Sequence, residues 1–226
     1  MKQLLLDIAP PPAPTLDNFV PGRNGELVIA LYALANGASH ERFIYLWGAA
    51  GSGCSHLLRA VLDAARRNGR RTAWFDSAAA AFDAAEDMFY AVDDVHRLGP
   101  EAQIAMFNLY NRIRGGSGVL IVGGNAPPAQ LRLRADLVTR LASGLVYQVH
   151  GLNDDEKSAA LRRHAEARGF RLSPEVADYV LRHARRDMPS LLALLDALDR
   201  HSLETKRAIT MPLLRELLET RPGSAR

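Results

Sequence analysis

Gly48-Ala49-Ala50-Gly51-Ser52-Gly53-Cys54-Ser55 decides how this chain is read, because it fits the loop pattern G-x-x-x-x-G-K-[ST] everywhere except at Cys54, which stands in the lysine slot. In such a loop the backbone N–H groups cradle phosphates, the lysine reaches the β- and γ-phosphates, and the Ser/Thr hydroxyl helps hold Mg²⁺. A neutral thiol supplies no cation, so the motif predicts a nucleotide-binding fold with altered phosphate chemistry. Its flanks agree: Arg42-Phe43-Ile44-Tyr45-Leu46-Trp47 reads as a strand, and Ser55 to Arg67 has helical spacing. Strand, glycine loop and helix are the context this motif needs.

Working outward, a helix is expected from Asn24 to Ala35, then short strands at Thr72 to Phe75, Met88 to Val92, Val119 to Val122 and Leu145 to Val149. A helix opens at Pro100, runs through Arg114 and ends at Gly115-Gly116. This alternation predicts an α/β fold, a parallel sheet flanked by helices, with its ligand crevice at the C-terminal ends of the strands. Beyond Gly151 the strand signals stop. Asn153 with Glu156 resembles a capping box, and Pro174 and Pro212 sit where helices start, which gives a small lid of about four helices. The expected organisation is an extended tail over 1–14, an α/β domain over 15–150 and a helical lid over 151–226.

Asp93-Asp94 follows an apolar strand and suits a Walker B pair, the first carboxylate orienting Mg²⁺ and the second helping to position water. Asn125 ends the next strand, where it suits either a polar sensor near the γ-phosphate or a turn before Pro127-Pro128. Arg140 lies on a short helix ahead of the last strand and fits either a finger for a neighbour's phosphates or a surface salt bridge. Cys54 also admits a reactive-thiol reading, since helix N-termini lower thiol pKa values. Gln3-Leu4-Leu5-Leu6-Asp7-Ile8, stopped by the prolines from Pro10 to Pro14, suits either a peptide that docks Leu4, Leu6 and Ile8 in a groove or an edge strand of its own domain.

At 226 residues and 48% apolar content the chain can bury a real core. Its net charge of +3 rests almost wholly on arginine and carries no long basic block interleaved with aromatics, so a solvated basic surface is expected. One cysteine excludes an intrachain disulfide and a multi-cysteine zinc site. The histidines are scattered, and no signal peptide or apolar span stands out, so a cytoplasmic protein is expected.

Four stretches, QLLLDI at 3–8, YLWGAAGSGCSHLLRA at 45–60, FNLYNRI at 107–113 with PPAQLRL at 127–133, and DLVTRLASGLVYQV at 136–149, resemble the AAA+ domain of the bacterial replication initiator DnaA and, more closely, the Hda family of its regulatory homologues. The resemblance extends over nearly the whole chain. It implies that Gln3, Leu4, Leu6 and Ile8 bind the polymerase sliding clamp and that Arg140 is a finger offered in trans to ATP on DnaA. It further implies a nucleotide site, with ADP as ligand, at Gly48, Gly51, Gly53, Cys54, Ser55, His56, Asp93, Asp94 and Asn125, with Ser55 and Asp93 on Mg²⁺. The expected function is negative regulation of replication initiation without intrinsic ATPase activity; the alternative is an autonomous ATPase of the clamp-loader or helicase-loader type. Sequence-specific DNA binding is not expected, because no helix-turn-helix follows the lid, and self-association is left open. Three positions depart from the family pattern: Cys54, Asn125-Ala126 in place of an acidic-basic pair, and Pro189 where the lid's sensor arginine belongs.

Overall fold

A computed structural model describes residues 13–77, 85, 87–184 and 187–219. Pro14–Gly151 forms one compact unit and the residues from Leu152 onward form a second. The clamp-binding candidates Gln3, Leu4, Leu6 and Ile8 lie outside the described residues.

In the first unit five strands, β1 (Phe43–Trp47), β2 (Thr72–Phe75), β3 (Phe89–Val92), β4 (Val119–Gly124) and β5 (Leu145–Gln148), form one sheet in the order β2-β3-β4-β1-β5. Every pairing is parallel. The central strands are continuous apolar runs because both faces are covered, and alternate side chains go to opposite layers. Ile44, Leu46, Phe89, Ala91, Val119 and Ile121 pack under α1 (Gly25–Ala35) and α2 (Cys54–Arg67). Tyr45, Tyr90, Val92, Leu120 and Val122 pack with α3 (Pro100–Gly115) and α4 (Ala135–Leu141). On α2, Leu57, Leu58, Val61 and Ala65 recur at helical spacing and form the buried stripe. The elements fall within a residue or two of their expected bounds, with α2 starting one residue early, at Cys54 itself.

Asn24 staples the two ends of this unit. Its side-chain amide donates to the carbonyl oxygens of Pro21 (2.9 Å) and His150 (2.8 Å), while its oxygen accepts from the His150 N–H (2.8 Å). At 3% exposure, these bonds are out of reach of water.

The second unit has four helices, α5 (Asp154–Ala167), α6 (Pro174–His183), α7 (Met188–Thr205) and α8 (Met211–Glu219), around a core that includes Leu161, Val176, Val180, Leu191, Leu194 and Leu213. Helix α5 begins with a full capping box: the Asn153 side chain accepts from the Glu156 N–H, and the Glu156 carboxylate accepts from the Asn153 N–H, both at 2.8 Å. Ser173 and Asp187 cap α6 and α7 in the same way from one side. Pro189 is the second residue of α7, where a missing N–H costs no helical hydrogen bond. Arg168 and His164 of α5 meet Asp196 and Asp199 of α7. Among the described residues no helix is long and apolar enough to cross a membrane.

Replacing Asn24 with Ala leaves the His150 carbonyl and N–H without their partners, while the Pro21 carbonyl keeps its bond from the backbone N–H of residue 24, and is expected to lower stability by about 3 kcal/mol. A urea titration of the wild type and the variant checks this, with an unchanged midpoint counting against the staple.

Candidate functional site

The glycine loop joins β1 to α2 at the carboxyl end of the sheet, beside the point where the order of strands reverses. Three of its glycines are needed for different reasons. Gly51 (φ +79°) and Gly53 (φ +105°) adopt left-handed backbone, which L side chains resist. Gly48 has no such angle, but a Cβ there would stand 2.5 Å from both Ser52 Oγ and the Val149 carbonyl oxygen. The Ser52 N–H donates to the Ala49 carbonyl oxygen (3.0 Å) and closes the turn.

Cys54 is the first residue of α2 and is half-buried, its sulfur 3.5 Å from Ser52 Oγ. Burial pushes its thiol up to about 11, the nearby Asp93 and Asp94 push the same way, and the Ser52 contact only partly opposes them. The lysine slot therefore holds a neutral group at physiological pH. The thiolate expected from a helix N-terminus does not form there, because desolvation and two carboxylates outweigh the helix dipole. Ser55, one residue on, is exposed.

Registers Trp47↔Gly124 and Val92↔Val122 bring the ends of β1, β4 and β3 side by side, so Gly48, Asp93 and Asn125 share one edge. Asp93 is 8% exposed and its Oδ1 accepts from the Asp94 N–H (2.9 Å). Asp94 takes left-handed backbone (φ +51°), which turns the chain into a short 3₁₀ turn, and its carboxylate pairs with Arg97 at 3.6 Å. Only the first carboxylate of the pair is thus held at the sheet edge; the second is engaged by its own turn. Asn125 is exposed directly after β4.

His56 meets the segment ahead of α1. Its Nε2 lies 3.0 Å from the Thr15 carbonyl oxygen, its ring meets Phe19 at 5.5 Å, and burial lowers its pKa against the opposing Thr15 contact.

Sequence reasoning missed several residues that shape the site. Thr15 and Asn18 exchange hydrogen bonds in a tight turn (2.9 and 3.1 Å) that delivers Phe19 against Gly53, where a Cβ would lie 2.8 Å from the ring. A Thr and an Asn three apart, each with a short polar side chain, was the available signal. Tyr45 crosses beneath the end of β4 to donate to the Ala126 carbonyl oxygen (2.7 Å). A Cβ on Gly124 would stand 2.1 Å from that hydroxyl, and one on Gly123 would meet Leu58 at 2.7 Å and Asp93 Oδ1 at 2.9 Å. The two glycines make room for a tyrosine on one face and a carboxylate on the other.

Arg140 sits in the last turn of α4, partly exposed, with its guanidinium over the rings of Phe107 (5.7 Å) and Tyr110 (5.6 Å) of α3. Among the described residues it has no carboxylate in ion-pair range, so the salt-bridge alternative does not hold. The platform is itself braced: the Tyr110 and Ser143 hydroxyls are 2.6 Å apart, and Ser143 donates to the Arg140 carbonyl oxygen at 2.8 Å.

Because the folded state keeps the Cys54 proton between pH 9.0 and about 11, where the unfolded thiol releases it, native stability falls as pH rises through that interval. At pH 8 the same shift makes alkylation by iodoacetamide about a hundredfold slower in the native protein than in urea. Equal rates would show that burial does not raise the thiol's pKa.

Comparison with known proteins adds a family for the lid. Residues 154–218 match the family model described as the Hda lid domain. Among solved structures, domain III of Thermotoga maritima DnaA superposes with a TM-score of 0.70 at 20% identity, covering 93% of this chain and 98% of that one. AMPPCP-bound DnaA from Aquifex aeolicus gives 0.67 at 21% identity over 86% of this chain and 70% of that one. A RuvB variant from T. maritima gives 0.63 at 15% identity over 91% and 72%. At these identities the structural likenesses establish the fold, and the lid match speaks for residues 154–218. Residues 154–218 are thus an Hda lid domain, and the chain as a whole shares the fold of DnaA domain III and RuvB.

Proposed function

We propose that the chain is a negative regulator of replication initiation that docks on the DNA-loaded sliding clamp and stimulates ATP hydrolysis by DnaA. The observation that carries this reading is Arg140: an arginine braced on two aromatic rings, without a carboxylate partner among the described residues, on the rim of a nucleotide fold whose own cation is gone. A guanidinium so held enters a neighbour's site with little reorganisation and stabilises charge developing on the transferred phosphoryl group. Gln3, Leu4, Leu6 and Ile8 supply the clamp contact in this reading. ATP turnover by the chain itself is not expected, since neither Cys54 nor Pro189 supplies a cation to a γ-phosphate.

The loop residues fit a bound diphosphate better than a triphosphate. Gly51 and Gly53 hold the loop in left-handed backbone, the N-terminus of α2 favours an anion, and Ser55 and Asp93 could hold Mg²⁺. Two relatives in structure, the A. aeolicus DnaA above and a DnaA bound also to single-stranded DNA, carry AMPPCP. AMPPCP carries three phosphates, so these relatives support nucleotide binding in general, and we assign ADP to this chain because Cys54 brings no cation to a γ-phosphate. Bound ADP would supply no chemistry here beyond the order it imposes on the loop.

Purified DnaA loaded with ATP, with clamp on DNA, should hydrolyse it faster when the chain is added. Arg140→Ala and Gln3→Ala should each abolish the effect, the former by a factor of about 10³ or more on the stimulated rate. Full stimulation by Arg140→Ala would remove the finger. For the nucleotide, Gly53→Ala strains a φ of +105° and presses on Phe19, so ADP affinity read by calorimetry should fall at least tenfold; unchanged affinity would place ADP elsewhere.

A further inference from the structure

Helix α3 presents to α4 a stripe of side chains that the proposed function uses only in part. Gln103, Phe107 and Tyr110 stand at i, i+4 and i+7, so they line one face of α3 over a rise of about 10 Å. Phe107 and Tyr110 carry the Arg140 guanidinium, and the Tyr110 hydroxyl meets Ser143 just past the end of α4. Gln103 holds the other end of that helix. Its Oε1 accepts from the Arg134 N–H at 2.9 Å, and Arg134 is the N-cap of α4. Its Nε2 donates to the Leu98 carbonyl oxygen, also at 2.9 Å. Leu98 closes the 3₁₀ turn that begins at Asp94, in which the Arg97 N–H donates to the Asp94 carbonyl oxygen (2.8 Å) and the Leu98 N–H to that of Val95 (3.2 Å). One amide thus joins the turn after Asp93-Asp94 to the start of the helix that bears Arg140.

The two bonds fix which way the amide lies, since a backbone carbonyl only accepts and a backbone N–H only donates. The tie matters because α4 is seven residues long, too short to hold its shape alone, and Arg134 makes no capping bond with its side chain, which pairs with Asp136 at 2.8 Å instead. Held only at the Tyr110 and Ser143 end, α4 could pivot on its buried Leu137 and Leu141; held at both ends of one stripe, it has a fixed direction. We propose that Gln103 is a positioning residue for Arg140: its Oε1 pins the start of α4, and its Nε2, anchored on Leu98, keeps that oxygen in place. The inference rests on the reading of Arg140 as a finger and concerns its aim. Misplacing a group by about 1 Å at a reacting centre costs on the order of 10²-fold in rate, and the cost falls on turnover while docking is spared.

The first test needs no DnaA. In the NMR spectrum of the isotope-labelled full-length chain, the Arg140 Nε–H resonance, assigned by its loss in Arg140→Ala, should be displaced by the ring currents of Phe107 and Tyr110. Gln103→Ala should move it toward the position of exposed arginines while the melting temperature stays within a few degrees of wild type. Gln103→Glu, which keeps the accepting oxygen but cannot donate to Leu98, should fall between the two. In the DnaA hydrolysis assay, Gln103→Ala should lower the maximal stimulated rate on the order of 10²-fold. The concentration of chain that gives half the effect should change by less than about twofold, and Gln103→Glu should recover part of the lost rate. The proposal is overturned if Gln103→Ala leaves the Arg140 resonance in place, if Gln103→Glu does no better than Gln103→Ala, or if the half-maximal concentration rises while the maximal rate holds. A wild type that does not stimulate DnaA would remove the function proposed above, and the resonance would still decide whether Gln103 sets Arg140.

Discussion

Everything at the candidate site depends on how closely three strand ends approach one another. Tyr45 on β1 can donate to the Ala126 carbonyl oxygen only because Gly124 carries no side chain, and Asp93 can lie against β4 only because Gly123 carries none. Remove that clearance and β1, β4 and β3 cannot hold Gly48, Asn125 and Asp93 on one edge. Desolvation then acts on whatever the edge encloses. Burial drives the Tyr45 and Cys54 protons the same way, toward the neutral form, and the carboxylate of Asp93 beside the thiol adds to it.

The loss of cations therefore differs in kind at its two positions. At Cys54 the slot is filled by a small neutral group that packs against Ser52, so the loop keeps its backbone shape while giving up its charge. At Pro189 the substitution falls in the first turn of α7, one of the few helical positions where proline carries no hydrogen-bonding penalty. Both residues suit the fold at positions where the resemblance leads one to expect a cation. Arg140 shows the opposite pattern, since two aromatic residues and a serine on other elements are arranged around a charge that contributes little to the core.

Much of this was legible in the chain. The strand, loop and helix around Gly48 to Ser55, the carboxylates after β3, and the lid starting at Asn153 are local patterns, and local patterns can be read from neighbours in sequence. What could not be read was long range. The Asn24 staple joins residues 126 positions apart. Phe19 reaches Gly53 only after the Thr15 turn has set its direction, and His56, which the motif places among ligand residues, is drawn to Thr15 instead. Gly123 and Gly124 looked like the end of a strand; their purpose appears only once Tyr45 and Asp93 are seen on either side. The arginines in and just after α2 looked like composition bias, because the aromatic residues beneath Arg59 and Arg70, Trp74 and Phe89, lie on different strands.

The beginnings of the lid helices have a consequence for how that unit forms. Asn153 with Glu156, Ser173 and Asp187 each satisfy a helix start from within three residues. Each of those three helices can therefore define its own first turn before any partner helix has arrived, and contacts between consecutive helices span short lengths of chain. A unit with so much of its order written in near neighbours pays a small loop-closure penalty on the way to its transition state, and belongs among the quick folders. The sheet, whose strand β1 must wait for its partner β4 77 residues later, sets the slower clock.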